Sequence, residues 1–568
     1  MTSISYDSSE SATTMFQRGE NGLVEHGWSN DMQEKIAQFS FQLTRTDEHG
    51  VHELSMVLDS LLTELAAALT SHHLASKEHL TTLYKMIGYT RDVISGKGEY
   101  VLAYMMVHIW YKHFPELAQF ALQCMVDLPS MHPYGSWKDI KYFCKYCESH
   151  SELVAFAVTL LNNQLRKDYA QLLLHREWDI SLAAKWAPRE KSAFGWLYQF
   201  CATEYFPNIL QTANTDEKKT KALLKCKMEY RKVLSQLNRH IDTVQIKQCE
   251  KRWAEIRFDK VTSVSLTKQR KAFLNVDAKG LVRYPGDMDR ITCAEHFHRH
   301  VETKELKGQR VSMVDFTKQA LHLLKYVHDP CERDVLNAQW RDNATAALNP
   351  LTNMIAMVDV SGSMDGDPLH AAIALGIRIA ERSVIGNRVM TFSAHPTWVN
   401  LDDCHDFVSK VDKLSQAEFG MNTNFASALD VILDAIVVNK MHPDDVQDMV
   451  LVILSDMQMD MNYADAEDQS TLYKYMSKKY AETGIRVHGF PYKPPHILFW
   501  NLRSTTGFPN LSSEVNTSMM SGFSPSLLNV FCDEGITALH GCNPWSMLQK
   551  SLRNERYKVM QEKIDLVL

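Results

Sequence analysis

Asn353-Met-Ile-Ala-Met-Val-Asp-Val-Ser-Gly-Ser-Met364 joins a short, continuous apolar run to a turn that carries three oxygen side chains. An apolar run of this length, bounded by turn residues, reads as a strand buried on both faces. Asp359, Ser361 and Ser363 then share one tight turn at the strand's end, which is a divalent-cation site in outline. Two later loops supply what the turn lacks. Thr423 lies in Gly420-Met-Asn-Thr-Asn-Phe-Ala-Ser-Ala-Leu429, and Asp456 closes the second apolar run, Met449-Val-Leu-Val-Ile-Leu-Ser-Asp456. Two Asp, two Ser and a Thr make a hard, oxygen-only ligand set of low formal charge, which suits Mg2+ better than zinc. An Asp-x-Ser-x-Ser alone is a weak signal, because the same residues cap helices. The expectation rests on three loops, two of which follow apolar strands. Asp365 and Asp367 are read as solvated or as capping the next helix, outside the ligand set.

Downstream of this run, strands and helices alternate. The pattern predicts strands at Met354–Asp359, Arg388–Phe392, Met449–Leu454 and His496–Leu502, with helices at Pro368–Glu381, Phe425–Val438 and Thr471–Thr483. Continuous apolar strands alternating with helices imply a doubly wound, mostly parallel, Rossmann-like sheet covered on both faces. In such sheets ligands bind in the crevice beyond the carboxyl ends of the strands. Asp359 and Asp456 both fall at such ends.

Upstream, from Asp31 to Thr267, apolar residues recur at three- and four-residue spacing, as in Leu54–Leu69, Tyr100–Trp110, Glu116–Val126 and Glu152–Leu165. This reads as stacked antiparallel helices without a strict repeat period. Residues 275–310 are rich in turn signals and read as an insertion. The expected organisation is a multidomain α plus α/β chain, with a mobile polar leader over 1–30, a helical-repeat region over 31–340 and an α/β domain with a helical extension over 341–568.

The 568 residues are 45% hydrophobic and 23% charged, ordinary for globular domains. The 11 cysteines are scattered and no secretory leader pattern opens the chain, so an intracellular, cytoplasmic address is expected, in a host cytoplasm or virion if the chain is viral. Val101–Tyr111 is too short and too interrupted for a membrane span. The net charge of −7 hides an asymmetry. Lys218–Lys271 is strongly basic, whereas Asp444–Asp468 is acidic, so nucleic acid should prefer the first half. Lys225, Lys227, Arg231, Lys232, Arg239, Lys247, Lys251 and Arg252 form the candidate phosphate-contacting surface, read against a merely solvated helix face. Trp137, Trp186, Trp196 and Trp253 are candidates for stacking on unpaired bases, although core packing is the commoner fate of an aromatic at helical spacing.

Residues 350–535 resemble a von Willebrand factor A domain, whose metal-ion-dependent adhesion motif matches Asp359, Ser361, Ser363, Thr423 and Asp456. That resemblance implies hydroxyls touching the cation directly, carboxylates acting partly through water, and an open position that accepts an acidic side chain from a protein partner. Arg91-Asp-Val-Ile-Ser-Gly-Lys-Gly-Glu-Tyr100, Tyr134-Gly-Ser-Trp-Lys-Asp-Ile140, Ala184-Lys-Trp-Ala-Pro-Arg-Glu190 and Trp253-Ala-Glu-Ile-Arg-Phe-Asp-Lys-Val-Thr-Ser-Val264 resemble an uncharacterised plant and giant-virus family that joins a helical region to such a domain. Its architecture is similar to the TROVE module of the Ro autoantigen, a HEAT-like helical ring that binds small structured RNAs. Val261-Thr-Ser263 departs from the Val-Pro-Ser expected there, and RNA binding comes by analogy of architecture alone.

Other chemistry finds little support. Gly96-Lys-Gly98 lacks the spacing of a phosphate-binding loop. Cys144 and Cys147 lack a second zinc-binding pair, and Cys293, His296, His298 and His300 would share a face only on an extended segment. The expected function is therefore a non-enzymatic, cation-dependent scaffold with RNA as a candidate partner. The alternatives are a protein adaptor without nucleic acid and, remotely, a magnesium-dependent phosphoester hydrolase.

Overall fold

The computed structural model describes residues 16–19, 24–70, 73–176, 179–303, 306–326, 330–344, 353–392, 395–416, 425–458, 472–505, 507–532 and 539–568. β1 (Phe16–Arg18) and β2 (Val24–His26) form a small antiparallel pair. The main sheet contains β3 (Asn353–Asp359), β4 (Arg388–Phe392), β5 (Thr397–Asn400), β6 (Met449–Ser455), β7 (His496–Asn501) and β8 (Thr517–Ser521), in the order β5-β4-β3-β6-β7-β8. Every pairing is parallel except β4 with β5, an antiparallel edge.

Why the central strands are apolar throughout follows from their two faces. Successive side chains point to opposite sides. Ala356, Val358, Val452 and Leu454 therefore enter one core, and Ile355, Met357, Leu451 and Ile453 enter the other.

The preceding helices are α1 (Met32–Gln42), α2 (Glu48–Ala68), α3 (His73–Arg91), α4 (Tyr100–His113), α5 (Pro115–Val126), α6 (Lys138–Tyr146), α7 (Ser151–Leu173), α8 (Ala183–Trp186), α9 (Gly195–Tyr205), α10 (Pro207–Gln211), α11 (Asp216–Ile241), α12 (Val244–Cys249), α13 (Ser263–Phe273), α14 (Met288–Glu302), α15 (Met313–Tyr326) and α16 (Pro330–Ala344). They pack mostly against near neighbours in the chain. The sheet is flanked by α17 (Asp367–Arg382), α18 (Phe407–Ser415), α19 (Phe425–Val438), α20 (Pro443–Gln447) and α21 (Leu472–His488), followed by α22 (Asn529–Cys532), α23 (Pro544–Leu552) and α24 (Lys558–Val567).

Both ends of the helical run dock on the α/β unit. At its start α1 packs on β8 and α23, and α3 packs on α24; at its end α15 packs on α17 and α18. The motif-bearing loop after α3 provides the first clasp. Asp92 holds Arg556 through two hydrogen bonds of 2.6 and 2.7 Å, and Tyr134 donates its hydroxyl proton to the Arg556 carbonyl. The buried Lys97 ammonium donates to the Ser40 and Leu43 carbonyls and to Ser521 Oγ at 2.8, 2.9 and 2.6 Å. Arg91 pairs with Asp139 at 2.7 Å. These motif residues thus serve assembly of the molecule.

Two expectations need correction. Of the polar leader expected to be mobile, residues 16–18 and 24–26 form strands, and His26 bridges to Phe508 because Glu25 and His26 are buried against the sheet domain; residues 1–15 and 20–23 lie outside the described residues. The turn-rich stretch 275–310 contains α14, whose Cys293, Phe297 and Val301 fill a core with Phe258 and Phe273. On this helix Cys293, His296 and His300, spaced i, i+3 and i+7, fall on one face and His298 on the opposite side, so the four do not form the single cluster an extended segment would give. The boundary expected at 340/341 falls near the end of α16, which stops at Ala344, and Trp340 of that helix stacks on Phe407 of α18 at 3.9 Å.

Candidate metal centre

β3 and β6 are hydrogen-bonded neighbours, with Val358 opposite Leu454. After β3 the chain winds to β4 on one side, and β6 to β8 lie on the other, so the winding reverses beside this pair of strand ends. In sheets of this kind such a reversal is where ligands bind. Asp359 closes β3 and Asp456 follows β6, and both are buried. After Val360, Ser361 leads into the short helical turn Gly362–Met364, and Gly366, at φ 91°, turns the chain into α17. Left-handed φ values are ordinary for glycine and strained for most side chains.

Short side chains fix the rim by bonding their own backbone, the habit of Asp and Ser in turns. Asp359 Oδ1 accepts from Ser361 N at 2.9 Å, Ser455 Oγ from Met457 N at 3.0 Å, and Asp456 Oδ1 from Gln458 N at 3.1 Å. Ser455 Oγ donates to Asp359 Oδ2 at 2.6 Å, tying the two strand ends together. Ser361 Oγ and Ser363 Oγ stand 3.0 Å apart. Burial, followed by the neighbouring Asp456 charge, pushes Asp359 up to about 7. Two buried carboxylates that repel one another are relieved by a cation.

The described donors are hard oxygen groups, the ligand type that Mg2+ prefers. The two Ser hydroxyls stand at hydrogen-bond distance from each other beside the two carboxylates. Asp359, Ser361, Ser363 and Asp456 are thus brought together, whereas Thr423 lies outside the described residues. Among the described residues no group of three or more His, Cys, Asp or Glu could hold a metal, so a centre here depends on hydroxyl ligands.

Three residues at the site escaped the sequence reading. Ser455 was adjacent to a named ligand but looked like strand. Asn501 ends β7, where its Oδ1 accepts from Arg503 N at 3.0 Å and its Nδ2 donates to the Phe41 carbonyl at 3.2 Å. Arg503 donates to the Ser363 carbonyl at 2.7 Å and stands 4.0 Å from Asp456 Oδ2. Nothing in its local sequence signals that position.

The basic stretch is partly neutralised from within. Arg252 is clasped by Asp242, Glu250 and Glu255 at 2.6, 2.8 and 2.6 Å. Lys247 pairs with Asp242, Lys232 with Glu229, and Arg231 with Glu190. Lys225, Lys227, Arg239 and Lys251 have no ion pair among the described residues. Of the four tryptophans, Trp137 is buried and Trp253 lies under the Arg290 guanidinium at 3.7 Å, while Trp196 is exposed and Trp186 half-buried. No described helix is long and apolar enough to cross a membrane.

Residues 353–565 match a family model described as a domain of unknown function, DUF7788, and residues 147–344 match another, DUF2828. Neither description names a von Willebrand A or TROVE module. The chain is 27% identical over 493 residues to "Uncharacterized protein L728" of Acanthamoeba polyphaga mimivirus, spanning 82% of this chain and 78% of that protein. The chain therefore has a giant-virus relative. Among solved structures it is similar to the RO (RSR) protein of Deinococcus radiodurans, at 11% identity and a TM-score of 0.35, with 88% of this chain and 99% of that chain covered.

Proposed function

We propose that this protein is a non-enzymatic binding scaffold that captures a divalent cation, Mg2+ by the chemistry of its donors, and through it an acidic group of a protein partner. The observation that carries the reading is the meeting of Asp359, Ser361, Ser363 and Asp456 at adjacent strand ends. In the von Willebrand A-like reading, Thr423 completes the set.

Recognition rather than turnover is favoured by how the carboxylates are held. Their hydrogen bonds to Ser361, Ser455 and Gln458 orient them as ligands. Hydroxyl donors leave the cation strongly electrophilic, which suits capture of an external carboxylate. The helical run, docked at both ends, supplies a rigid platform behind the site.

Calorimetric titration with Mg2+, repeated with Mn2+ and paramagnetic detection, tests the reading. Wild type should bind one cation in the crevice, while Asp359→Ala and the Ser361→Ala/Ser363→Ala pair should lose it with the thermal transition retained. Unchanged cation affinity in both variants would overturn the proposal.

A further inference from the structure

Between α13 and α14 the chain pushes an apolar tongue into solvent. From Ala278 to Met288 every residue is exposed. Leu281, Val282, Tyr284 and Met288 are 65, 57, 50 and 69% exposed. A single exposed apolar side chain is ordinary, but several large ones on one short loop mark an interaction surface.

The tongue is ordered from its root. Asp277 N donates to the Leu281 carbonyl at 2.9 Å, and Asp277 Oδ1 accepts from Lys279 N and Leu281 N at 2.8 and 3.0 Å. Arg283 N donates to the Asn275 carbonyl at 2.7 Å, and Asn275 Nδ2 to the Tyr284 carbonyl at 3.1 Å. The Arg290 guanidinium lies 5.1 Å from the centroid of the Tyr284 ring. Fixed backbone thus holds the apolar side chains out in water.

Charge on the tongue is sorted as well. Its acids are occupied by backbone amides: Asp277 in the turn just described, Asp287 by Arg290 N at 3.3 Å, and Asp289 by Trp253 N and Ala254 N at 2.7 and 2.8 Å. Lys279 and Arg283, set among the apolar residues, are exposed and form no ion pair among the described residues.

We propose that this tongue docks the protein on the surface of an anionic lipid bilayer. Leu281, Val282 and Met288 enter the headgroup boundary, Tyr284 lies at the level of the headgroups, and Lys279 and Arg283 meet lipid phosphates and carboxylates. A fluid bilayer takes up a convex apolar tip without a matching pocket, and its anionic headgroups complement the two cations. No membrane span is involved, and the inference is independent of the cation in the crevice.

Flotation of the full chain with vesicles of phosphatidylcholine and phosphatidylserine in equal parts, in EDTA, tests it. EDTA removes the crevice cation and any cation bridge to lipid, so failure here is distinct from failure of the cation reading. Wild type should float with the mixed vesicles and bind pure phosphatidylcholine about tenfold more weakly, and salt should weaken the mixed-vesicle binding. Leu281→Ser/Met288→Ser and Lys279→Gln/Arg283→Gln should each weaken it by about tenfold or more. Leu224→Ser/Met228→Ser, at exposed positions of α11, should change it less than about twofold. The proposal is overturned if wild type fails to float with mixed vesicles at low salt, if either tongue variant floats like wild type, or if pure phosphatidylcholine serves equally well. It is also overturned if the tongue covers a second copy instead, seen as a dimer of the free chain that Leu281→Ser/Met288→Ser dissolves. Retained thermal transitions in all three variants exclude unfolding as the cause.

Discussion

Arg503 puts a positive charge beside the carboxylates that would receive a divalent cation. It donates to the Ser363 carbonyl and partly offsets Asp456. The same charge repels an incoming cation. For a half-exposed guanidinium several ångströms away, Coulomb repulsion of a divalent ion is on the order of 1 kcal/mol at the dielectric of water, the limit that a solvated, salt-screened side chain approaches. Arg503→Gln should therefore bind Mg2+ about three- to tenfold more tightly, an increase that high salt shrinks. Titration of wild type and variant at two ionic strengths checks this, and tighter binding by wild type would show that Arg503 positions Ser363 more than it repels. The contrast with Asp359 explains what was legible at this scale. Asp359, Ser361 and Ser363 are readable because one turn supplies all three. Arg503 reaches the site only through the pairing of β6 with β7, which its neighbours in sequence do not report. Charge counts overstate the unpaired charge of the basic stretch for a related reason, because Glu190 and Arg231 meet only after folding.

Along single elements, the α17–β3 crossing shows how closely the layers pack. A Cβ added at Gly376 would lie 2.6 Å from Val358 Cγ2. In an exposed helix, Gly→Ala stabilises by up to about 1 kcal/mol. Here the sign should reverse: Gly376→Ala forces α17 from β3 and costs about 1–3 kcal/mol. Urea denaturation of Gly376→Ala, Val358→Ala and the double variant tests this. The double variant should be more stable than the sum of the singles predicts, because removing the valine branch makes room for the new methyl. Additive losses would mean that the glycine serves some other purpose. Strands β3, β4, β6 and β7 could be read from sequence because strands buried on both faces leave apolar runs. β5 (Thr397–Asn400) is a short edge strand with exposed ends, and β8 (Thr517–Ser521) is buried but mostly polar, with Thr517 and Ser518 satisfied by Asn510 and His496. Neither leaves such a run.

At the scale of the molecule, the helical run is held on the α/β unit at two places, and the second carries an acid-sensitive carboxylate. Near its start, Asp92 is buried between Arg556 and Tyr557. Near its end, Asp406 caps α18 through Ser409 N and takes two hydrogen bonds from Arg333 of α16, at 2.7 and 2.8 Å. Burial pushes the Asp406 carboxyl up, but Arg333 and Ser409 outweigh it and hold the group well below the usual carboxylate range. A carboxylate with a depressed folded-state pKa binds its proton more readily when unfolded. Its contribution is fully present above about pH 4 and disappears as the pH falls further towards the folded value. Wild type should therefore lose stability steeply on acidification below about pH 4. Asp406→Asn should be less stable at neutral pH and flatter by up to one proton in that limb, and Arg333→Gln should act alike, since it removes the partner that depresses the group. Urea midpoints from neutral to acid pH, read with the slope of each transition, check both variants. An acid limb unchanged in Asp406→Asn would place the titration elsewhere, whereas a second, earlier transition confined to acid would show α16 leaving α18 before the sheet unfolds.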